Sequence, residues 1–217
     1  CGAHAGSAAE MAQAMAQATA AGLNIGAHPG FADRAHFGRK RIDLPPAALA
    51  ELVRAQVEQA ATEAARQNAR LNHLKLHGAL ANMAAEDENL AQICFTAALA
   101  AAPDLRLMVI AATAQERAAR ALGQTPICEI FADRAYLSDG RLMDRAQSGA
   151  VIHDPDLAAA RVVQMIKARA IIANDGTHLP AQIDTICLHG DTPDAVRIAQ
   201  EIRIKIEAQG IQIAKFS

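Results

Sequence analysis

Tryptophan is absent from the sequence, and tyrosine occurs once, at Tyr136. Aromatics make up 3% of residues against 52% hydrophobic residues overall, so Ala and aliphatic side chains have to fill any core. Such a core relies on close helix-to-sheet approach rather than on large rings. Charge of one sign is not in excess: 21 Lys and Arg stand against 23 Asp and Glu, a formal net charge of -2, with no long run of either. That balance gives no electrostatic footprint for nucleic acid or another polyanion. No stretch reaches the ~20 apolar residues of a spanning helix, so no membrane association is expected, and no secretory leader pattern is visible. The four Cys form no C-x-x-C pair. Cys94, Cys128 and Cys187 sit in apolar surroundings and read as buried free thiols, which fits a reducing, cytoplasmic compartment.

Several chemical motifs are missing as well. Neither G-x-G-x-x-G nor G-x-x-x-x-G-K occurs, so the chain has no phosphate-cradling loop of a nucleotide fold. No G-x-S-x-G elbow is present and no Cys lies beside an obvious base, which disfavours covalent acyl transfer. The groups that remain suit water activated by His or a carboxylate, with Lys or Arg stabilising an oxyanion.

What is present is a βα alternation. Ser7 and Glu10 form a capping box for a helix through about Ala20, and Leu23 to Ala27 reads as a short strand. A long loop over 29–44 follows, and Pro45-Pro46 open an Ala-rich helix to about Asn68. Strands are expected over Leu71–Leu76, Leu105–Ala111, Pro126–Phe131 and Ile183–Leu188. Helices are expected from Asp87-Glu88 to about Ala101, from a second capping box at Thr113-Glu116 to Gly123, from Pro155 to about 173, and from Pro193 to Gly210. The length suits one domain over residues 1–217, and the alternation predicts a mostly parallel sheet, closed or nearly closed into a β/α barrel. The chain opens at Cys1-Gly2 without Met, at what reads as the end of a strand, so an upstream strand is expected.

Four of these apolar runs close on polar residues: Gly26-Ala27-His28-Pro29-Gly30, Leu74-Lys75-Leu76-His77-Gly78, Glu129-Ile130-Phe131-Ala132-Asp133-Arg134 and Cys187-Leu188-His189-Gly190-Asp191. In parallel α/β folds sites gather at the carboxyl ends of strands, so one shared site is expected there. His73 and His77 have H-x-x-x-H spacing, but four residues of strand span about 13 Å, too far for one ion. Read as a strand, His73, Lys75 and His77 share one face, with Leu74 and Leu76 on the other. Glu129, inside an apolar strand, needs a partner, and Lys75 is a candidate. His189 stands at its strand end with Asp191 two residues on, an arrangement that can orient a general base, although Asp191 can equally cap the following helix. A divalent metal stays open, with His4, His28 and His77 as candidates. His36, His153 and His178 read as solvated loop residues.

Cys1-Gly2-Ala3-His4-Ala5-Gly6, Gly26–Phe31, Phe37-Gly38-Arg39, Lys75–Leu80, Glu129–Tyr136, Gly149–Ile152 and Cys187–Asp191, in that order, resemble the LamB/YcsF family over essentially the whole chain. The resemblance implies a seven-stranded, distorted TIM-like barrel of the glycoside hydrolase/deacetylase type, lacking here its amino-terminal strand. It also implies ATP-dependent opening of the lactam of 5-oxoproline to glutamate together with two partner subunits of B and C type, which would use the ATP. Homo-oligomerisation is left open. On this reading His28, His77, His189, Glu129 and Asp191 are catalytic, and His4, Lys75, Asp133, Arg134 and Arg39 bind substrate. Ala3, Ser7, Leu76 and Ala81 depart from the family pattern and bear on which substrate is taken. The alternatives are a metal-dependent deacetylase of the same barrel type and a non-catalytic subunit that presents substrate.

Overall fold

The structure is a computed structural model that describes residues 1–190 and 194–216. The chain divides into two compact units, Cys1–Val109 with Ala114–Pro126, and Ile110–Thr113 with Ile127–Ser217.

In the first unit, helix α1 (Ala8–Ala20) begins where Ser7 Oγ accepts the Glu10 N–H at 3.2 Å, as the capping box requires. Strand β1 (Ile25–Ala27) leads into the 29–44 loop, whose only regular piece among the described residues is a 3₁₀ turn at Arg34–His36. Helix α2 (Pro46–Arg66) carries Pro at its first turn and buries Leu49, Val53, Val57, Ala60 and Ala64, one stripe at helical spacing. Strand β2 (Leu71–Lys75) runs parallel to β1, pairing Gly26 with His73 and Ala27 with Leu74. Strand β3 (Arg106–Ile110) runs parallel to β2, with Leu74 opposite Leu107 and Lys75 opposite Met108. Leu74 and Leu76 are buried while His73 and Lys75 are half-buried on the other face, as the alternation predicts. Helix α3 (Gly78–Glu86) precedes α4 (Glu88–Ala101), which Asp87 caps through the Asn89 and Leu90 N–H groups. Helix α5 (Ala114–Ala121) closes the unit. Thr113, expected as its cap, donates its hydroxyl to the Ile110 carbonyl at 2.7 Å.

Helix α3 is not among the expected elements. Its N-cap, His77, makes no side-chain capping bond, and the start is fixed by the Ala79 N–H donating to the Gly38 carbonyl at 3.0 Å. A start held by a residue about forty positions away leaves no local signal.

In the second unit β4 (Ile127–Phe131) and β7 (Thr185–Cys187) are parallel, with Glu129 opposite Thr185 and Phe131 opposite Cys187. Helices α6 (Pro155–Ala168) and α7 (Ala195–Glu207) pack together through Ala158, Ala159, Val162, Ile198, Ile202 and Ile206. Helix α6 ends earlier than expected: Arg169 turns left-handed at φ 49°, and Ala170–Ile172 becomes β5, antiparallel to β6 (His178–Pro180) around Asn174-Asp175-Gly176. A short apolar run after a helix does not reveal its period, which is why sequence extended the helix. Among the described residues, the five expected parallel strands are present, and the hairpin adds two antiparallel ones. All four Cys are free, and burial pushes the Cys94 thiol up to about 12.

Candidate active site

Three imidazoles meet in the first unit. His28 follows β1, His77 lies between β2 and α3, and His4 comes from the segment before α1. His28 Nδ1 lies 2.7 Å from the Lys75 carbonyl oxygen, and His77 Nε2 lies 2.8 Å from the Phe37 carbonyl oxygen. The facing nitrogens, His28 Nε2 and His77 Nδ1, are 3.1 Å apart. The His4 ring lies flat on His77, with centroids 3.7 Å apart and planes 3° apart, and Phe37 meets both rings edge-on. His4 and His77 are buried and His28 half-buried. His28 also borders a cavity of about 430 Å³ that Glu10 and Asn24 help to line.

Glycines let the 29–44 loop close on these rings. A Cβ on Gly30 would stand 3.1 Å from His4 Nδ1 and from His77 Cβ, and one on Gly38 would stand 2.8 Å from His4 Cβ. Gly78 is left-handed, at φ +57°, and a Cβ there would fall 2.5 Å from the Gly38 carbonyl oxygen. Gly78→Ala should therefore destabilise the fold by roughly 2–4 kcal/mol, combining the left-handed penalty with a backbone clash. Urea unfolding measures this, and an unchanged midpoint would refute it. Phe37 itself adopts φ 55°, ψ 34°, and this is the conformation that aims its carbonyl at His77. Gln56, a polar residue on the apolar stripe of α2, holds Gly30 from both sides: its Oε1 accepts the Gly30 N–H at 3.2 Å, and its Nε2 donates to the Gly30 carbonyl at 2.8 Å. Sequence reasoning passed over Gln56 and took Phe37 only as part of the Phe37-Gly38-Arg39 motif. The signal for Gln56 was its place in the Val53, Val57, Ala60 stripe.

The electrostatics are those of desolvated bases in a cationic setting. Burial, with the charges of His77, Arg34 and Arg39, pushes His4 down to about 4. Burial and then the Lys75 ammonium hold His28 well below its ordinary range, and burial with Lys75 brings His73 to about 4. A ring with a depressed folded value contributes stability in full above its unfolded value, about 6.5. That contribution is lost as pH falls toward 4. The melting temperature should accordingly drop between pH 6.5 and 4, and His73→Asn should flatten that slope; an unchanged slope would contradict it.

His4, His28 and His77 were the expected metal candidates, and they meet without forming a three-point ligand set. The flat stacking of His4 on His77 points their lone pairs alongside one another rather than at a common ion. No group of three His, Cys, Asp or Glu among the described residues is arranged to hold a metal. Arg39 is exposed, with its guanidinium 4.9 Å over the Phe37 ring.

The second unit holds a different arrangement. Asp133, buried just after β4, accepts from His189 Nδ1 at 2.8 and 3.0 Å. The His189 side chain is 25% exposed and stacks on Phe131 with centroids 5.7 Å apart. With Nδ1–H committed to Asp133, the lone pair resides on Nε2. Glu129 is buried on β4, and its charge acts on the Tyr136 phenol, which burial raises above the ordinary range. Tyr136 Oη accepts the Phe131 N–H at 2.7 Å, fixing the end of the strand. Arg134 gives its guanidinium to the Ala150 and Met143 carbonyls, clamping the 134–151 loop. Asp191 lies outside the described residues. His36, His153 and His178 are exposed, and His36 pairs with Asp33 at 2.8 Å.

Residues 1–217 match the LamB/YcsF family. The chain belongs to that family. A relative from Ruegeria pomeroyi, named as the A subunit of 5-oxoprolinase, is 50% identical over 216 residues, covering 100% of this chain and 85% of the relative. A protein of the same name from Azorhizobium caulinodans is 43% identical over 217 residues, covering 100% and 86%. Among solved structures, the lactam utilization protein from Thermus thermophilus is 35% identical with a TM-score of 0.90, covering 100% of this chain and 86% of that one. This LamB/YcsF chain therefore has the parallel α/β fold of that protein. No helix among its described residues is long and apolar enough to cross a membrane.

Proposed function

We propose that this chain supplies the hydrolytic residues of an ATP-dependent 5-oxoprolinase, opening the lactam amide of 5-oxo-L-proline to L-glutamate in a complex with two partner subunits. The full-length similarity to relatives named as the A subunit of 5-oxoprolinase supports the substrate and the presence of partners. The observation that carries the catalytic assignment is the His189–Asp133 pair, a partly exposed imidazole oriented by a buried carboxylate. His189 Nε2 takes a proton from water as its oxygen attacks the amide carbonyl, and Asp133 holds the imidazolium that forms. The electron pair of the carbon–nitrogen bond then leaves with the ring nitrogen, which takes up a proton to become the amine of glutamate. In the first unit Lys75, with the imidazoles of His28, His77 and His4 alongside it, forms a set suited to binding an anionic group. Arg134 holds the 134–151 loop through the Ala150 and Met143 carbonyls. The partners use the ATP to activate the lactam, in keeping with the absence of a phosphate-cradling motif in this sequence.

The test is glutamate release from 5-oxo-L-proline by this chain, its two partner subunits and ATP, with each component omitted in turn. Release that needs all of them supports the reading, and release that persists without this chain overturns it. The deacetylase alternative gains no ligand set from the described residues. A purely presenting subunit would leave turnover intact in the His77→Ala and His189→Ala chains.

A further inference from the structure

Tyr136 is the chain's one tyrosine, and it is fully buried. A hydroxyl taken out of water needs a hydrogen-bond partner, and here the partner is a main-chain group. On β4 the Glu129 carbonyl accepts a backbone N–H, from Ala111 at 3.0 Å. Two residues on, the Phe131 N–H donates to a side chain instead, Tyr136 Oη at 2.7 Å. The phenol is held in turn by its own backbone: the Tyr136 carbonyl accepts the Asn174 N–H at 2.9 Å, and the neighbouring Ala135 bonds to Ala150 and Met143, both at 3.0 Å. Next along the chain, the Ala132 N–H donates to the Cys187 carbonyl at 3.0 Å, and the Asp133 carbonyl accepts from Ile152 at 2.9 Å. Residues 131–133 are therefore tied at every step, with the first tie made by the tyrosine.

Those ties bear on His189. Phe131 and Asp133 stand two apart at the strand end, and both side chains meet the same imidazole. The Phe131 ring stacks on it with centroids 5.7 Å apart, and the Asp133 carboxylate accepts from Nδ1 at 2.8 Å.

We propose that Tyr136 is a positioning residue for His189: by accepting the Phe131 N–H, its hydroxyl sets the strand end from which Phe131 and Asp133 together orient the imidazole. That this orientation serves catalysis rests on the reading of His189 as the base. Burial keeps the phenol protonated well above its ordinary range, so it acts as a fixed hydrogen-bonding group and not as a second acid or base. Displacing a reacting group by about 1 Å can cost on the order of 10²-fold in rate, so the loss of one buried hydroxyl behind the base should show in turnover.

The experiment compares four chains in the three-component complex with ATP and 5-oxo-L-proline: the parent, Tyr136→Phe, His189→Ala and the double variant. Tyr136→Phe removes the oxygen and keeps the ring. It is expected to lower kcat by about 10–100-fold, with KM within about twofold of the parent. Because Tyr136 acts through His189, the same change should cost less than about twofold once His189 is replaced. A parent-like kcat in folded Tyr136→Phe overturns the proposal. A loss as large in the His189→Ala background as in the parent overturns it too, since that marks a structural role alone. If Tyr136→Phe does not fold, the single tyrosine is replaced biosynthetically by 3,5-difluorotyrosine, whose oxygen is a weaker acceptor. The kcat should then fall several-fold, and an unchanged kcat overturns the proposal. A further readout does not depend on the lactam reading: the Nδ1–H proton resonance of His189 in the chain alone. It should shift or broaden in Tyr136→Phe, and an unchanged resonance overturns the positioning role. A shifted resonance together with parent-like turnover in His189→Ala would support Tyr136 as the residue that holds the imidazole and count against His189 as the base.

Discussion

His77→Ala in the reconstituted complex is expected to lower glutamate release by about 10²–10³-fold, the range lost when one donor that stabilises a developing anion is removed. The ring stacks on His4 at 3.7 Å, faces His28 at 3.1 Å and is held by the Phe37 carbonyl at 2.8 Å, so its loss releases three groups together. Part of any defect would be structural, because the His77 ring is buried against His4 and Phe37. His77→Asn separates the two: it should restore the melting temperature but not the turnover. Turnover within a few-fold of the parent in a folded His77→Ala chain would remove this histidine from the reaction.

Asp133→Asn should have an effect of similar size through a different route. The carboxylate accepts from His189 Nδ1 at 2.8 Å and so leaves the lone pair on Nε2. An amide in its place can donate to Nδ1, which would put the hydrogen on Nε2 and turn a base into a donor. A fall of about 10²–10⁴-fold in kcat is expected, with little change in KM and little loss of stability. Asp133 is a positioning residue, so the split between kcat and KM separates its role from packing alone, and Asp133→Glu, which keeps an accepting carboxylate, should recover part of kcat. A parent-like kcat in Asp133→Asn would mean that His189 is not the base.

The sequence made the elements legible where local rules decide them. Ser7 and Asp87 cap as their side chains predict, and the alternation of His73, Lys75, Leu74 and Leu76 in β2 is the one observed. It did not disclose α3 or the end of α6. The start of α3 depends on Gly38 and the end of α6 on a left-handed Arg169, and neither is a local preference. Within the candidate site, the residue types at the strand ends were legible because polar groups that interrupt apolar runs need a reason. Their partners were not. Nothing about Phe37 as a side chain announces that its carbonyl fixes the tautomer of His77, and Asp133 was visible only as a charge until its contact with His189 supplied a role. Arg134 looked like a substrate-binding cation, and its guanidinium is instead turned to the Ala150 and Met143 carbonyls.

The most direct test is the ratio of glutamate released to ATP split by the three-component complex carrying His189→Ala. If this chain hydrolyses a lactam that its partners activate, ATP splitting should continue while glutamate release falls by about 100-fold or more. Glutamate released at the parent rate, with the parent ratio to ATP, would contradict the account.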